Sequence, residues 1–370
     1  MPGTTEVLSR RALNRALLAR QMLLTRERKK PIDVIERLAG LQAQVPRPPF
    51  VGLWTRLQKF RREDLLALIR AKKVVRATAM RGTIHLLSTK DFLHFRPRLA
   101  DMLARSAQST VGKRLDGTSV EPFYRAGREF FGRNAAPFEA FRAVAEAKFS
   151  KLDTRAVAYT VRMGLPLVMV PSGDDRWGFP ANADFTLADT WLEKPVPTSA
   201  DGVETMVLRY LAAFGPATPG DAQTWSGLRN LKPVFEKLRP KLVTFRDEKT
   251  RELFDVPGAP RPDADTPAPM RFLPEYDNIA LSHDDRTRVI ADEHRGSLIL
   301  KNLVVVGSFT VDGFIAGTWR VDVRKREATL ALSPFGKLAK PAAAEVIAEG
   351  ERLLEFVEPE AETRIVRFAK

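Results

Sequence analysis

The 370-residue sequence predicts an α+β protein made of three tandem winged-helix modules and a C-terminal β-rich region. Groups of helical segments are followed three times by a β-hairpin, and the hairpins end near Leu87, Phe179 and Val256. Helices followed by such a hairpin are typical of winged-helix modules. We therefore expect modules at residues 1–115, 116–195 and 196–260, arranged around a concave face, followed by the β-rich region at residues 261–370.

The first module contains three predicted helices and one hairpin. Residues 9–24 carry leucines at helical spacing behind a capping Ser9, and Pro31 suits the first turn of a helix over residues 31–41. A third helix is predicted over residues 61–71. The hairpin strands, residues 74–79 and 83–87, flank Arg81-Gly82.

The same order recurs downstream. The second module has predicted helices at 138–149 and 154–163, a strand at 165–170, a turn at 172–175 and a return strand at 177–179. The third has helices at 203–214, 218–227 and 231–238, with strands at 241–245 and 252–256. After a Pro- and Asp-rich linker at 261–269, β-rich segments at 299–309, 313–321 and 327–333 predict a small antiparallel sheet or partial barrel, and a helix at 342–356 closes the chain.

The composition restricts the chemistry. The chain has no Cys and only four His, without metal-ligand spacing, so we expect no metal and no cofactor. The acidic residues at 275–277, with His283, Asp284 and Asp285, could form a metal or acid/base site. We interpret residues 273–278 instead as a structured turn, and residues 284–286 as a solvated charge pair or a helix cap. No apolar run approaches the ~18 residues of a membrane span, and the expected location is the cytoplasm.

Positive charge is concentrated in the first third. Residues 1–114 carry 25 Lys and Arg against 8 Asp and Glu, a net +17, whereas the other 256 residues carry 35 against 37, a net −2. Such a basic unit on a neutral body favours DNA as partner, and no single basic amphipathic helix indicates a membrane surface. The candidate DNA contacts are Arg47, Lys72, Lys73, Arg76, Arg81 and His85; a packed or surface role for His85 is equally compatible with its strand, and Trp54 is interpreted as a core residue instead of a base-stacking one.

The most informative segment is Gln42-Ala43-Gln44, followed by a proline-rich run at 46–49. Pro46 favours extended geometry at Val45, and Pro49 does the same at Pro48. Residues two apart in extended chain face the same side. Both amides are therefore expected to point to one place, where a helix gives way to extended chain. Two surface glutamines at a helix end are the alternative.

Several motifs resemble those of the AlkZ-type winged-helix DNA glycosylases, bacterial enzymes related to YcaQ. They occur in order over nearly the whole chain: GLQAQVPRPP at 40–49, VGLW at 51–54, MRGTIHL at 80–86, ATPGD at 217–221, FLPEYDN at 272–278 and VDGFIAGTW at 311–319. The resemblance implies that Gln42 and Gln44 are catalytic. The YcaQ-like branch ends the glutamine motif in Asp, so Gln44 indicates the AlkZ-like side, which includes self-resistance proteins against azinomycin-like alkylators.

The resemblance implies a glycosylase acting on double-stranded DNA that contains alkylated purines, and some members of the family unhook interstrand crosslinks. A purine alkylated at N7 leaves as a neutral base, so positioning a water and stabilising an oxocarbenium-like centre would suffice. No lysine nucleophile is required, so we expect no lyase step, and no obligate protein partner is inferred. In a bacterium the enzyme would associate with the nucleoid through DNA binding. The alternative is a non-enzymatic winged-helix regulator.

Overall fold

The computed structural model describes residues 6–173, 176–198, 201–301 and 303–369. The chain is α+β, as predicted. Its helices are α1 (Arg10–Arg20), α2 (Pro31–Arg37), α3 (Pro48–Trp54), α4 (Arg62–Arg70), α5 (Thr89–Arg98), α6 (Ala100–Val111), α7 (Glu121–Arg133), α8 (Phe138–Lys148), α9 (Thr154–Gly164), α10 (Ala188–Leu192), α11 (Glu204–Phe214), α12 (Pro219–Ser226), α13 (Lys232–Leu238), α14 (Asn278–Leu281), α15 (Arg295–Leu298) and α16 (Lys340–Val357). Across the described residues, no helix is both long and apolar enough to cross a membrane.

The strands form three sheets. They are β1 (Val7–Leu8), β2 (Leu41–Gln42), β3 (Val74–Thr78), β4 (Ile84–Ser88), β5 (Leu167–Met169), β6 (Phe185–Leu187), β7 (Val243–Asp247), β8 (Glu252–Asp255), β9 (Arg271–Leu273), β10 (Ser308–Val311), β11 (Phe314–Arg324), β12 (Glu327–Pro334) and β13 (Thr363–Phe368). The strand orders are β1-β7-β8, β2-β4-β3-β5-β6 and β13-β12-β11-β10-β9.

The central sheet contains the first two predicted hairpins. The β3–β4 hairpin is confirmed as an antiparallel pair. The second return strand was expected at 177–179, which is wrong: β5 pairs with β6 at Phe185–Leu187. Trp177 instead packs edge-on against Phe50, and Phe179 is buried in the core. Residues 174 and 175 of the expected turn lie outside the described residues.

Because β5 also pairs with β3, residues 1–115 and 116–195 contribute to one sheet. Similarly, β1 pairs in parallel with β7 and joins the chain start to the confirmed β7–β8 hairpin. The predicted modules therefore share backbone hydrogen bonds. Their number, their boundaries and the concave face stay predictions.

The helix expected over residues 31–41 ends earlier, which matters for the glutamines. The chain leaves helical geometry at Ala39 and Gly40, whose φ angles are 54° and 96°. A side chain at Gly40 would be strained at this φ, and its Cβ would lie 2.4 Å from Leu87. The next residue, Leu41, already pairs with Leu86 in β4.

Seven helices were missed by the sequence analysis: α3, α5, α6, α7 and the short helices α10, α14 and α15. The proline run that was expected to be extended opens α3, because the first helical positions need no backbone N–H donor.

The C-terminal sheet differs from the prediction in two respects. The strand expected over 299–309 is interrupted: α15 ends at Leu298, Ile299 bridges to Val305, and β10 begins only at Ser308. In addition, α16 does not close the chain, because β13 follows it and pairs in parallel with β12. The sheet is therefore open and mixed. Trp54 stacks on Phe356 of α16 at 5.8 Å, in agreement with its predicted packing role.

The basic first third is tied to the rest of the chain by acids. Eight ion pairs among the described residues join a basic residue of 1–114 to a later acid: Arg11–Asp312, Arg15–Asp312, Arg20–Asp255, Arg26–Glu349, Arg47–Glu275, Arg56–Asp277, Lys72–Glu193 and Arg114–Asp153. The side chains of Arg15, Arg20 and Arg56 are fully buried. Part of the +17 excess therefore holds the fold together and is not available to an external anion.

Candidate active site

Gln42 lies in an extended segment, as the sequence predicted. It pairs with His85 across β2 and β4, and the next residue donates from Ala43 N to Ile84 O at 2.8 Å. The Gln42 side chain is largely buried, with 7% of the residue exposed. Its Oε1 accepts a hydrogen bond from Arg81 Nη2 at 2.7 Å. The amide is thus held in one orientation by the sheet and by a cation.

Gln44 lies two residues further on and is exposed. Its Oε1 accepts a long hydrogen bond of 3.4 Å from the backbone N–H of Ile84. Both amides therefore contact the short segment 81–84, which runs from the hairpin turn to the first residue of β4. Gln42 contacts it at Arg81 and Gln44 at Ile84. The structure brings the two glutamines to the same end of β4, one buried and one open to solvent.

Arg76 secures the backbone of this pair. It is buried in β3, and it donates from Nε to Ala43 O at 2.9 Å and from Nη2 to Gln44 O at 3.1 Å. Its guanidinium also lies over the ring of Phe179 at 5.4 Å. The sequence analysis proposed Arg76 as a DNA contact. In the structure it is buried and holds the backbone of the glutamine segment through these two hydrogen bonds.

Arg81 occupies a left-handed backbone conformation, with a φ of 56°. Besides Gln42 Oε1, its guanidinium donates to the backbone carbonyl of Trp225 at the end of α12. Burial, with a smaller contribution from Arg286, lowers the pKa of Arg81 to about 10, so it remains a cation at neutral pH. Because a guanidinium can only donate, it directs the carbonyl oxygen of Gln42 towards itself.

This orientation determines which hydrogen bonds the Gln42 side chain can make to a ligand. With Oε1 held by Arg81, the Nε2 amide is the other end of the group, and it makes no hydrogen bond to the described residues. Gln42 can therefore donate hydrogen bonds to a bound water or to an oxygen of a ligand. The carbonyl oxygen retains its second lone pair.

His85 is buried beside the two glutamines. Its Nδ1 lies 3.1 Å from Thr83 O, so that nitrogen carries the proton, and its Nε2 faces Arg81 Nη2 at 3.5 Å. Burial and, secondarily, the charge of Arg81 lower the pKa of His85 to about 3. His85 is consequently neutral at physiological pH. The packed alternative raised from the sequence describes its environment better than a phosphate contact.

Residues 273–278 support the glutamine segment from the other side. Arg47 forms an ion pair with Glu275 and lies over the Trp319 ring at 5.6 Å, while Asn278 Nδ2 donates to Gly40 O at 2.9 Å. The buried pair Arg56–Asp277 anchors the same loop with two 2.9 Å hydrogen bonds. The sequence analysis did not predict these contacts, although it identified the two motifs that form them, at residues 40–49 and 272–278.

The acids near residue 280 do not converge on one point. Asp277 is buried and paired with Arg56, whereas Asp285, predicted within a solvated charge pair or helix cap at 284–286, pairs with Lys249 and Arg251. The Asp285 carboxyl has a pKa far below its usual value because these partners and Thr287 outweigh partial burial. Within the described ranges, no group of three or more His, Cys, Asp or Glu could hold a metal ion.

Lys72 and Lys73 lie apart from the glutamines, at the opposite end of β3. Lys73 precedes Ala77, the partner of His85, by four residues, which is about 13 Å along a strand. Lys72 pairs with Glu193 at 3.2 Å and lies over the Trp191 ring at 4.7 Å. The predicted basic residues therefore form two separate groups, and only Arg47, Arg76, Arg81 and His85 surround the glutamine segment.

Comparisons with known proteins identify relatives of this chain. Residues 35–356 match the family described as "DNA glycosylase AlkZ-like". The chain is 26% identical over 328 residues to an interstrand DNA cross-link repair glycosylase from Streptomyces sahachiroi, covering 82% of this chain and 85% of that protein. The solved structure of the Streptomyces sahachiroi DNA glycosylase AlkZ superimposes with a TM-score of 0.79 at 20% identity, covering 98% of this chain and 100% of that one. The chain belongs to the AlkZ-like DNA glycosylase family.

Proposed function

We propose that this protein is a monofunctional DNA glycosylase that hydrolyses the N-glycosidic bond of N7-alkylated purines. The observation that carries this proposal is the pair Gln42 and Gln44, whose amides both contact the short segment 81–84. Membership of a glycosylase family supports enzymatic activity over a regulator. The cross-link repair activity named for its relative extends the proposal to unhooking interstrand crosslinks formed by DNA-alkylating natural products.

The chemistry follows from two neutral amides. The lesion nucleotide is extruded from the duplex, and its C1′–N9 bond breaks as the electron pair moves onto the cationic purine, which leaves neutral. Water then forms the new C1′–O bond and loses its proton to solvent. Gln42 donates from Nε2 to orient that water. Gln44 is exposed and lies on the solvent side of the site. Neither amide is a strong base, so a charged leaving group is required.

DNA binding is proposed to reside mainly in residues 1–114. Lys73 is favoured over Lys72 as a phosphate contact, because Lys72 already pairs with Glu193. Arg47 is engaged by Glu275 and can reach DNA only if that pair opens. Arg76 and His85, both buried, act by shaping the site. Charge reversal at Lys73 should weaken binding to damaged and undamaged duplexes alike, and binding competition between the two duplexes tests this.

The activity is tested by release of 7-methylguanine from alkylated DNA under single-turnover conditions. Replacing Gln42 or Gln44 with Ala should reduce the rate by about 10²–10³, the typical effect of losing one oriented polar contact in a preorganised site. Gln58→Ala is the matched control, because Gln58 is exposed and its side chain bonds, among the described residues, to Arg26 O and Arg28. Binding without release by the wild-type protein would favour a regulator, and wild-type rates in folded Gln42→Ala and Gln44→Ala would end the glutamine-pair hypothesis.

A further inference from the structure

We propose that Arg81 and Arg286 form an anion site that holds a phosphate flanking the alkylated nucleotide. The inference rests on the proposed glycosylase function and names a binding residue, Arg286, that the motifs did not single out. It depends on the arrangement of both arginines around α12 and on the absence of an ion pair for either guanidinium in the described residues.

Helix α12 brings the two arginines together. Arg81 donates to the carbonyl of Trp225 in its last turn, and the backbone N–H of Asp284 donates to Asp221 Oδ1 in its first turn at 3.0 Å. Asp221 and Trp225 are one helical turn apart, about 6 Å along the axis. Arg286 follows Asp284 by two residues. Their charges interact, since Arg286 contributes to the lowered pKa of Arg81.

No ion pair balances the charges of these two arginines within the described structure. Arg81 bonds to an amide and a carbonyl, both neutral, and Arg286 forms no ion pair there. The Nε of Arg286 is buried and has no hydrogen-bond partner in the described residues. Burial and the charge of Arg295 lower the pKa of Arg286, and the nearby charge of Asp284 opposes them in part. Two partly buried cations without an ion pair of their own are unfavourable, so an external anion bound there would relieve both desolvation and repulsion.

The position of Arg81 indicates which anion this is. Its guanidinium bonds to Gln42, the amide proposed to act at C1′ of the extruded nucleotide. The phosphates on either side of that nucleotide are the anions closest to C1′, and a guanidinium matches phosphate oxygens in charge and geometry. A phosphate held there would also fix the sugar against Gln42. Arg81 thus both positions Gln42 and contributes to the anion site.

The test uses a duplex with one tetrahydrofuran abasic-site analogue, which has no base to release. In two further duplexes, the phosphate on the 5′ or the 3′ side of the analogue is replaced by an uncharged methylphosphonate. We expect the wild-type protein to lose about tenfold in affinity at one of the two positions, and Arg286→Gln to lose about the same on the normal duplex. At that position Arg286→Gln should show no further loss, because the two changes remove one interaction.

Two variants keep this test decisive. Arg286→Lys retains the charge and should recover part of the affinity, which excludes misfolding as the cause. Arg133→Gln removes an exposed arginine that pairs with Glu129 elsewhere, and its effect should add to that of the methylphosphonate. Additive losses for Arg286→Gln at both positions would overturn the proposal. Failure of the glycosylase proposal would appear separately, as absence of 7-methylguanine release by the wild-type protein.

Discussion

The buried pair Arg56–Asp277 offers the most quantitative test of how the glutamine segment is held. Both side chains are almost inaccessible, at 0% and 2% exposure, and two 2.9 Å hydrogen bonds join them. Asp277→Asn keeps the shape but removes the charge, which leaves Arg56 as an uncompensated buried cation. Breaking such a pair typically costs 3–5 kcal/mol. Because Arg56 also donates to the Gly52 and Gln21 carbonyls at 3.0 Å, we expect the lower end, about 3 kcal/mol.

The free energy of unfolding from urea titration measures this effect. Glu193→Gln is the control, because Glu193 is 82% exposed in its pair with Lys72 and such surface pairs contribute about 1 kcal/mol or less. The double variant Arg56→Met/Asp277→Leu removes both charges and should recover much of the loss. If Asp277→Asn destabilised the protein no more than Glu193→Gln, the pair would not anchor the loop as described.

Three further outcomes are expected. The pKa values of His85 and His283 are both lowered to about 3, chiefly by burial, so the stability that each neutral histidine gives above pH 6.5 is lost as the pH falls towards 3. Lowering the pH from 7.5 to 5 should reduce the free energy of unfolding by about 2 kcal/mol for each histidine. The free energy of unfolding of a His283→Gln variant should depend less on pH. Gln44→Glu should retain more single-turnover activity than Gln42→Glu, because the exposed carboxylate stays hydrated whereas the buried one pairs with Arg81; the reverse order would contradict the assigned environments. Affinity for undamaged duplex should fall with salt, with a slope of about −0.9 per phosphate neutralised, and a flat dependence between low and moderate salt would exclude electrostatic binding.

Local signals in the sequence were sufficient for many elements. Ser9 caps α1 through a 3.1 Å bond from Ala12 N, and Thr218 and Asp221 form a capping box at the start of α12. The β3–β4 and β7–β8 hairpins follow from β-forming residues around turn signals. Each of these features depends on residues within about one or two turns of each other, so the pattern is readable without the fold.

The extended geometry at Gln42 also followed from the sequence, whereas Gln44 lies in a bend between β2 and α3. The roles of the surrounding arginines did not follow from the sequence. Arg76, Arg81 and Arg286 look alike as charged residues, and their burial and partners depend on chain segments far away in sequence, such as Trp225 for Arg81. Net charge alone therefore could not separate cations that hold the fold from cations available to DNA.

What the sequence determined is the class of fold, most helices and hairpins, and the family, while the role of the two glutamines stays a prediction. What only the tertiary structure decided is how the segments share sheets and ion pairs. Arg20 and Asp255, 235 residues apart, meet in the core, and β3 pairs with β5 across what looked like a module boundary. Such contacts form because burying a charge or a strand edge requires a partner, and the chain supplies whichever partner the packing of its apolar faces brings near.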